Sequence, residues 1–100
     1  MKSFKLDHIA LTVIDIEITE KFYSNILGLT KIYRPKFDTP GLWYSLGECS
    51  LHLILSTDNK KAVNKTTQPH FAIAMTDSDY LKQLFFYDPS FNMIEINTDI

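Results

Sequence analysis

The sequence predicts an α+β fold built from two related halves, a full βαβββ module followed by a shortened copy of it. Three observations support this. The stretch Leu6-Asp7-His8-Ile9-Ala10-Leu11-Thr12-Val13 is echoed 62 residues later by Gln68-Pro69-His70-Phe71-Ala72-Ile73-Ala74-Met75, and Asp15 then meets Asp77. A single segment with helical spacing follows the first copy of that strand. The second copy is too short to repeat it: 44 residues separate His8 from His52, but only 25 separate His70 from Glu95. That deficit equals about one helix of ~12 residues and one strand of ~6.

The first strand covers residues 6–13. Asp15 is then placed to cap a helix, and Ile18, Phe22, Ile26 and Leu29 recur at helical spacing. Gly28 sits where helices end in a left-handed residue. A helix over 17–27 is predicted, with that apolar stripe packed on the back of a sheet. Residues 30–33 are strand-like, 34–41 form a loop with two prolines, and 42–46 make a short aromatic strand. After a turn at 47–50 comes a strand over 50–55 with His52 at its middle. Residues 56–68 are almost wholly polar and read as a solvated linker. The second half has its first strand at His70, only Ser78 to Gln83 where the first half has a helix, and a strand over 84–87. A turn at Asp88-Pro89 and a strand over 93–97 carrying Glu95 complete it. This gives one domain over 1–100, with the first module at about 4–56, a linker at 57–68 and the shortened second module at about 69–98.

A chain of 100 residues can bury one modest core, and 45% hydrophobic with 22% charged residues is ordinary for a globular protein. A formal charge of −2 with scattered lysines argues against nucleic acid as a partner. Cys49 is the only cysteine, so no internal disulfide forms, which fits a reducing compartment. No apolar run approaches the ~20 residues that span a bilayer. The first residues carry no secretory signal, so a cytoplasmic location is expected.

Alternation along strands sorts the side chains. His8, Ala10 and Thr12 share one face, against Ile9, Leu11 and Val13. His52 opposes Leu51 and Leu53, His70 opposes Phe71 and Ile73, and Glu95 opposes Ile94 and Ile96. His8, His52, His70 and Glu95 thus all lie on the less apolar face of their strands. If the strands are neighbours, three imidazoles and a carboxylate converge. Such nitrogen and oxygen donors suit a divalent ion (Zn, Ni, Co, Mn or Fe(II)), and the lack of thiolates argues against a closed structural zinc site. Two histidines and one carboxylate alone would make a facial site with open positions.

With these residues in place, the chain resembles the vicinal oxygen chelate superfamily of glyoxalases, bleomycin-resistance proteins, extradiol dioxygenases and fosfomycin-resistance thiol transferases. The resemblance lies in Asp7-His8-Ile9-Ala10-Leu11-Thr12-Val13, Asp15-Ile16-Glu17, Phe22-Tyr23 and Ile26-Leu27-Gly28-Leu29. It continues through Pro40-Gly41-Leu42-Trp43-Tyr44, Leu51-His52-Leu53-Ile54, His70-Phe71-Ala72-Ile73, Phe86-Tyr87-Asp88-Pro89 and Asn92-Met93-Ile94-Glu95-Ile96. It is strongest toward the glyoxalase-like branch. It implies paired βαβββ modules in a cupped, incomplete barrel, with metal ligands at His8, His52, His70 and Glu95. Glu95 would serve as ligand or as general base.

The resemblance implies a metal-dependent enzyme of the glyoxalase lyase or isomerase type, or of the extradiol dioxygenase type, chelating adjacent oxygens of a small substrate. Tyr44, Trp43, Phe37 and Tyr33 are candidate pocket walls. A non-catalytic small-molecule binder of the bleomycin-resistance kind is the alternative, as is a shortened scaffold used for protein association. The chain departs from the family twice. Its second module lacks a helix and a strand, which should leave Phe71, Ile73, Met75, Ile94 and Ile96 as an exposed apolar patch. A partner chain, the short segment at 78–83, or residues missing from the sequence could account for that patch, and a homodimer is expected. Phe91 also stands where the family turn has a glycine, so Asn92 is expected to take the left-handed conformation in its place.

Overall fold

The computed structural model of the chain describes residues 2–56, 69–76 and 83–98. The expected linker at 57–68, Asp77, and most of the short connection at 78–83 lie outside the described residues. The chain divides into two compact units, Met1–Asn59 and Lys60–Ile100.

The first unit contains β1 (His8–Val13), a helix α1 (Ile16–Glu20) that continues as a wider π-helical segment (Lys21–Ile26), β2 (Lys31–Ile32), β3 (Gly41–Leu46) and β4 (Cys49–Leu55). Its sheet runs β1-β4-β3-β2, with β1 parallel to β4 and the other neighbours antiparallel. Asp15 caps the helix as expected, accepting the amide of Ile18 at 3.0 Å. At the other end the Leu27 amide donates to the Phe22 carbonyl five residues back, at 2.8 Å. Gly28 then takes φ +80°, and the Leu29 amide reaches the Tyr23 carbonyl at 2.9 Å.

The helix is where expected, but its buried line is not. Ile18 is 51% and Ile26 75% exposed, whereas Thr19 and Tyr23 are buried. The inward line lies one residue further along, about 100° round the helix. Tyr23 causes this: its ring packs 5.7 Å from that of Tyr44, and the neighbouring Ser24 hydroxyl hydrogen-bonds the Tyr44 hydroxyl at 2.8 Å. Val13, Tyr23, Leu42, Tyr44, Leu51 and Leu53 form the core of this unit. Tyr44 is therefore core rather than a pocket wall.

Gly41 is required for packing. A Cβ there would lie 2.5 Å from the Leu53 carbonyl oxygen and 2.9 Å from the Arg34 guanidinium carbon. Arg34 fills the space that glycine leaves, donating to the Thr39 carbonyl at 2.8 Å with its guanidinium 4.9 Å above the Phe37 ring.

The second unit contains β5 (His70–Ala74), β6 (Gln83–Tyr87) and β7 (Met93–Asn97) in the order β5-β7-β6, with β5 parallel and β6 antiparallel to β7. This is the β1-β4-β3 frame again. Among the described residues it has no counterpart of β2 or of the helix.

Ile94 and Ile96 are not the exposed patch expected of a missing helix, being 0% and 8% exposed. Their strand is central, and the register places Phe71 and Phe86 beside Ile94, and Ile73 and Leu84 beside Ile96. Residual exposure falls on flanking side chains such as Leu84 and Met75. The turn before β7 also departs from expectation, because Phe91 itself, not Asn92, has positive φ, at +63°. The buried Asp88 carboxylate fixes this turn. It accepts from the amides of Ser90 and Asn92 and from the Asn92 side chain, each at 2.8 Å.

Candidate functional site

In the first unit β4 lies between β1 and β3, and the register sets His52 directly across from Ala10 on one side and Trp43 on the other. His8 pairs with Ser50, so it is the diagonal neighbour of His52 on the same face. The small Ala10 lets the His8 ring lean onto His52. Three rings therefore stack across three strands. His8 and His52 have centroids 4.1 Å apart with planes inclined 12°, and His52 and Trp43 are 3.9 Å apart at 3°. Phe37 extends the row, 6.1 Å from Trp43.

Each histidine has a polar partner. His8 Nδ1 lies 2.8 Å from Asp7 Oδ2, and His52 Nε2 lies 2.9 Å from the Ser50 hydroxyl. The hydrogen bond to His8 holds the Asp7 carboxyl below the usual carboxylate range. Burial, followed by the neighbouring His8, pulls His52 below the ordinary imidazole value, so its neutral form is favoured.

In the second unit the register places Glu95 between Ala72 and Phe85. Glu95 is 8% exposed, and its Oε1 lies 3.2 Å from His70 Nε2. Its Oε2 accepts from the Gln83 side-chain amide at 2.8 Å. The His70 ring also meets the Phe85 ring edge-to-face at 5.5 Å. A nitrogen and an oxygen donor thus face one another on adjacent strands, with the far carboxylate oxygen fixed.

The structure therefore brings the four expected residues together as two pairs, His8 with His52 and His70 with Glu95. Among the described residues no group of three or more His, Cys, Asp or Glu is gathered as a metal site. The donor types fit a first-row divalent ion, and the His70–Glu95 pair fits it in geometry as well. The other pair fits only in part. An imidazole lone pair lies in its ring plane, so two rings sharing one ion must have planes that meet at that ion. Over the roughly 3 Å from a ring centre to a bound ion, a 12° inclination draws two stacked planes together by less than about 1 Å. As the rings stand, one of His8 and His52 can donate to a given ion, not both.

Asp7, Ser50 and Gln83 are site residues that the sequence reading missed. Asp7 sits on the other parity from His8 and reaches it around the start of the strand. Gln83 could have been found by parity, since it precedes Phe85 by two residues and so shares its face.

Residues 5–85 match the profile of the Glyoxalase/Bleomycin resistance protein/Dioxygenase superfamily. The chain belongs to that superfamily. Solved structures agree on the fold. A glyoxalase family protein from Bacillus anthracis is 18% identical with a TM-score of 0.78, over 98% of this chain and 100% of that one. A lactoylglutathione lyase from Agrobacterium tumefaciens is 17% identical, TM-score 0.68, over 95% and 93%. The fosfomycin resistance protein FosX from Listeria monocytogenes is 15% identical, TM-score 0.73, over 100% and 94%. No curated protein matches the chain. No helix among the described residues is long and apolar enough to cross a membrane.

Proposed function

We propose that this superfamily member is a metal-dependent enzyme of the glyoxalase type, a lyase or isomerase acting on a small substrate that offers two neighbouring oxygens to a divalent ion. The observation that carries this reading is the His70–Glu95 pair, in which a buried carboxylate faces an imidazole nitrogen while Gln83 holds its other oxygen. The ligands of a Zn, Ni, Co, Mn or Fe(II) ion in this reading are drawn from the set that the resemblance implies, His8, His52, His70 and Glu95. When bound, such an ion supplies Lewis-acid polarisation to the substrate oxygens.

The remaining chemistry falls to the chain. Glu95, when it releases the ion, is the base that takes a proton from a carbon next to those oxygens, and the Gln83 side chain, bonded to its Oε2, keeps the carboxylate aimed. Trp43 and Phe37 offer flat apolar surface beside the histidines. The reading includes a cytoplasmic location and a homodimer.

The test is calorimetric titration of chelator-treated protein with each of these ions at neutral pH. Wild-type protein is expected to bind one of them at a single site, and His70→Ala and Glu95→Gln to weaken that binding by at least about 100-fold. Absence of binding by any first-row ion would sink the reading and favour a metal-free small-molecule binder.

A further inference from the structure

We propose that His52 is a positioning residue rather than a metal ligand. Its ring, held between His8 and Trp43, fixes the plane of His8, the one imidazole of this unit that donates to an ion. The proposal rests on the metal-dependent reading above and decides a point that reading leaves open.

Two nearly parallel rings in contact share no in-plane point, so one of the pair must be the donor. Their hydrogen bonds say which. Asp7 is a carboxylate and can only accept, so His8 Nδ1 carries the proton and Nε2 keeps the lone pair of the neutral ring. An acid oriented on one nitrogen leaves the other ready to bind. His52 has a hydroxyl partner, which can donate or accept, so Ser50 does not fix its tautomer.

Packing points the same way. Among the described residues His8 stacks on one ring, that of His52, and its side chain is 44% exposed. His52 has rings against both faces. To turn its ring His52 would forfeit two ring contacts and the bond to Ser50, whereas His8 has the one ring contact to lose.

The experiment compares His52→Phe, which keeps a flat ring but no donor, with His52→Ala, His8→Phe and Asp7→Asn. Affinity is read by calorimetry, and ligand identity by the visible spectrum of the Co(II)-loaded protein. His52→Phe should bind within about threefold of wild type with an unchanged Co(II) spectrum, while His52→Ala weakens binding about 10- to 100-fold. His8→Phe should lose binding. Asp7→Asn, a change at an exposed position, should weaken it about 10-fold. If His52→Phe binds as poorly as His8→Phe, or shifts the Co(II) spectrum, His52 is a ligand and the proposal is overturned, and the metal-dependent reading survives. Unchanged binding by Asp7→Asn would also overturn it, and that variant decides the matter should His52→Phe fail to fold. If wild-type protein binds no ion, both readings fall.

Discussion

The two units place different chemistry on one strand frame. In each, a central strand has a parallel neighbour that begins with histidine and an antiparallel neighbour that presents a large aromatic ring. His8, His52 and Trp43 of the first correspond to His70, Glu95 and Phe85 of the second, with Ala10 and Ala72 in equivalent register. The outcome turns on the central residue. An imidazole there lies flat between two rings and draws the neighbouring histidine into the stack. A carboxylate presents an oxygen to the histidine and aims it. Shape and charge at one position thus turn a ring stack into a donor pair.

The turns that close the two frames differ as well. Gly47 joins β3 to β4 at φ +62°, and Phe91 lies before β7 at φ +63°. The second unit adopts a glycine-like conformation without the glycine, and the buried Asp88 cage holds it. Asp88→Ala should give the largest effect on stability. It removes three hydrogen bonds to a buried carboxylate, for a loss of about 3 kcal/mol by denaturant unfolding. Removal of Glu48, in the matching turn of the first unit, should change stability by no more than about 0.5 kcal/mol, since that residue is exposed.

The aromatic partners give the next contrast. Trp43→Ala should cost about 2–3 kcal/mol, since it removes a half-buried ring stacked on His52. Phe85→Ala should cost about 1 kcal/mol, because Phe85 is already 47% exposed and meets His70 only by its edge. Thermal unfolding of both variants checks the order. Equal losses would mean that neither the greater burial of Trp43 nor its stack on His52 contributes.

Much of this frame is legible in the sequence because alternation along a strand is geometric. Parity alone put His8, His52, His70 and Glu95 on matching faces, and the 62-residue echo identified β1 with β5. Parity does not reveal how a ring turns about its side-chain bonds, so neither the flat stack nor its conflict with shared ligation could be read. Helical spacing found the stripe of Ile18, Phe22 and Ile26 but not its orientation, which the Tyr23–Tyr44 contact decides. The patch expected at Ile94 and Ile96 did not form: both are buried on the central strand, a place in the sheet that local sequence does not give.

The stack also has a pH signature. Burial depresses His52 relative to the unfolded chain, so metal-free protein has the full benefit of neutral His52 above about pH 6.5. As pH falls below that value the unfolded chain takes up the proton first, and stability declines until the folded form is protonated too. The difference in stability between wild type and His52→Phe, followed by urea unfolding from pH 7.5 to 5, should therefore move against wild type as acid is added. Asp7 is depressed as well, but its contribution is lost only near or below about pH 3.8, outside that window. A constant difference between the two proteins would show that the imidazole is not desolvated in the stack.

The smallest expected effect exchanges the two turns. Phe91→Gly relieves a left-handed conformation that costs a bulky residue about 1–2 kcal/mol, while glycine gives the unfolded chain extra freedom worth up to about 1 kcal/mol. It also removes the edge contact of Phe91 with Tyr87, whose rings lie 6.1 Å apart. The balance favours the variant by about 0.5 kcal/mol, a rise in midpoint of a few degrees for a chain of this size. Gly47→Phe, the reverse exchange, meets nothing within 4 Å and so isolates the backbone penalty; it should destabilise by about 1 kcal/mol. If Phe91→Gly were instead to lower stability by more than about 1 kcal/mol, the ring of Phe91 would be holding Tyr87 in place, and the turn would owe its shape to that packing rather than to Asp88.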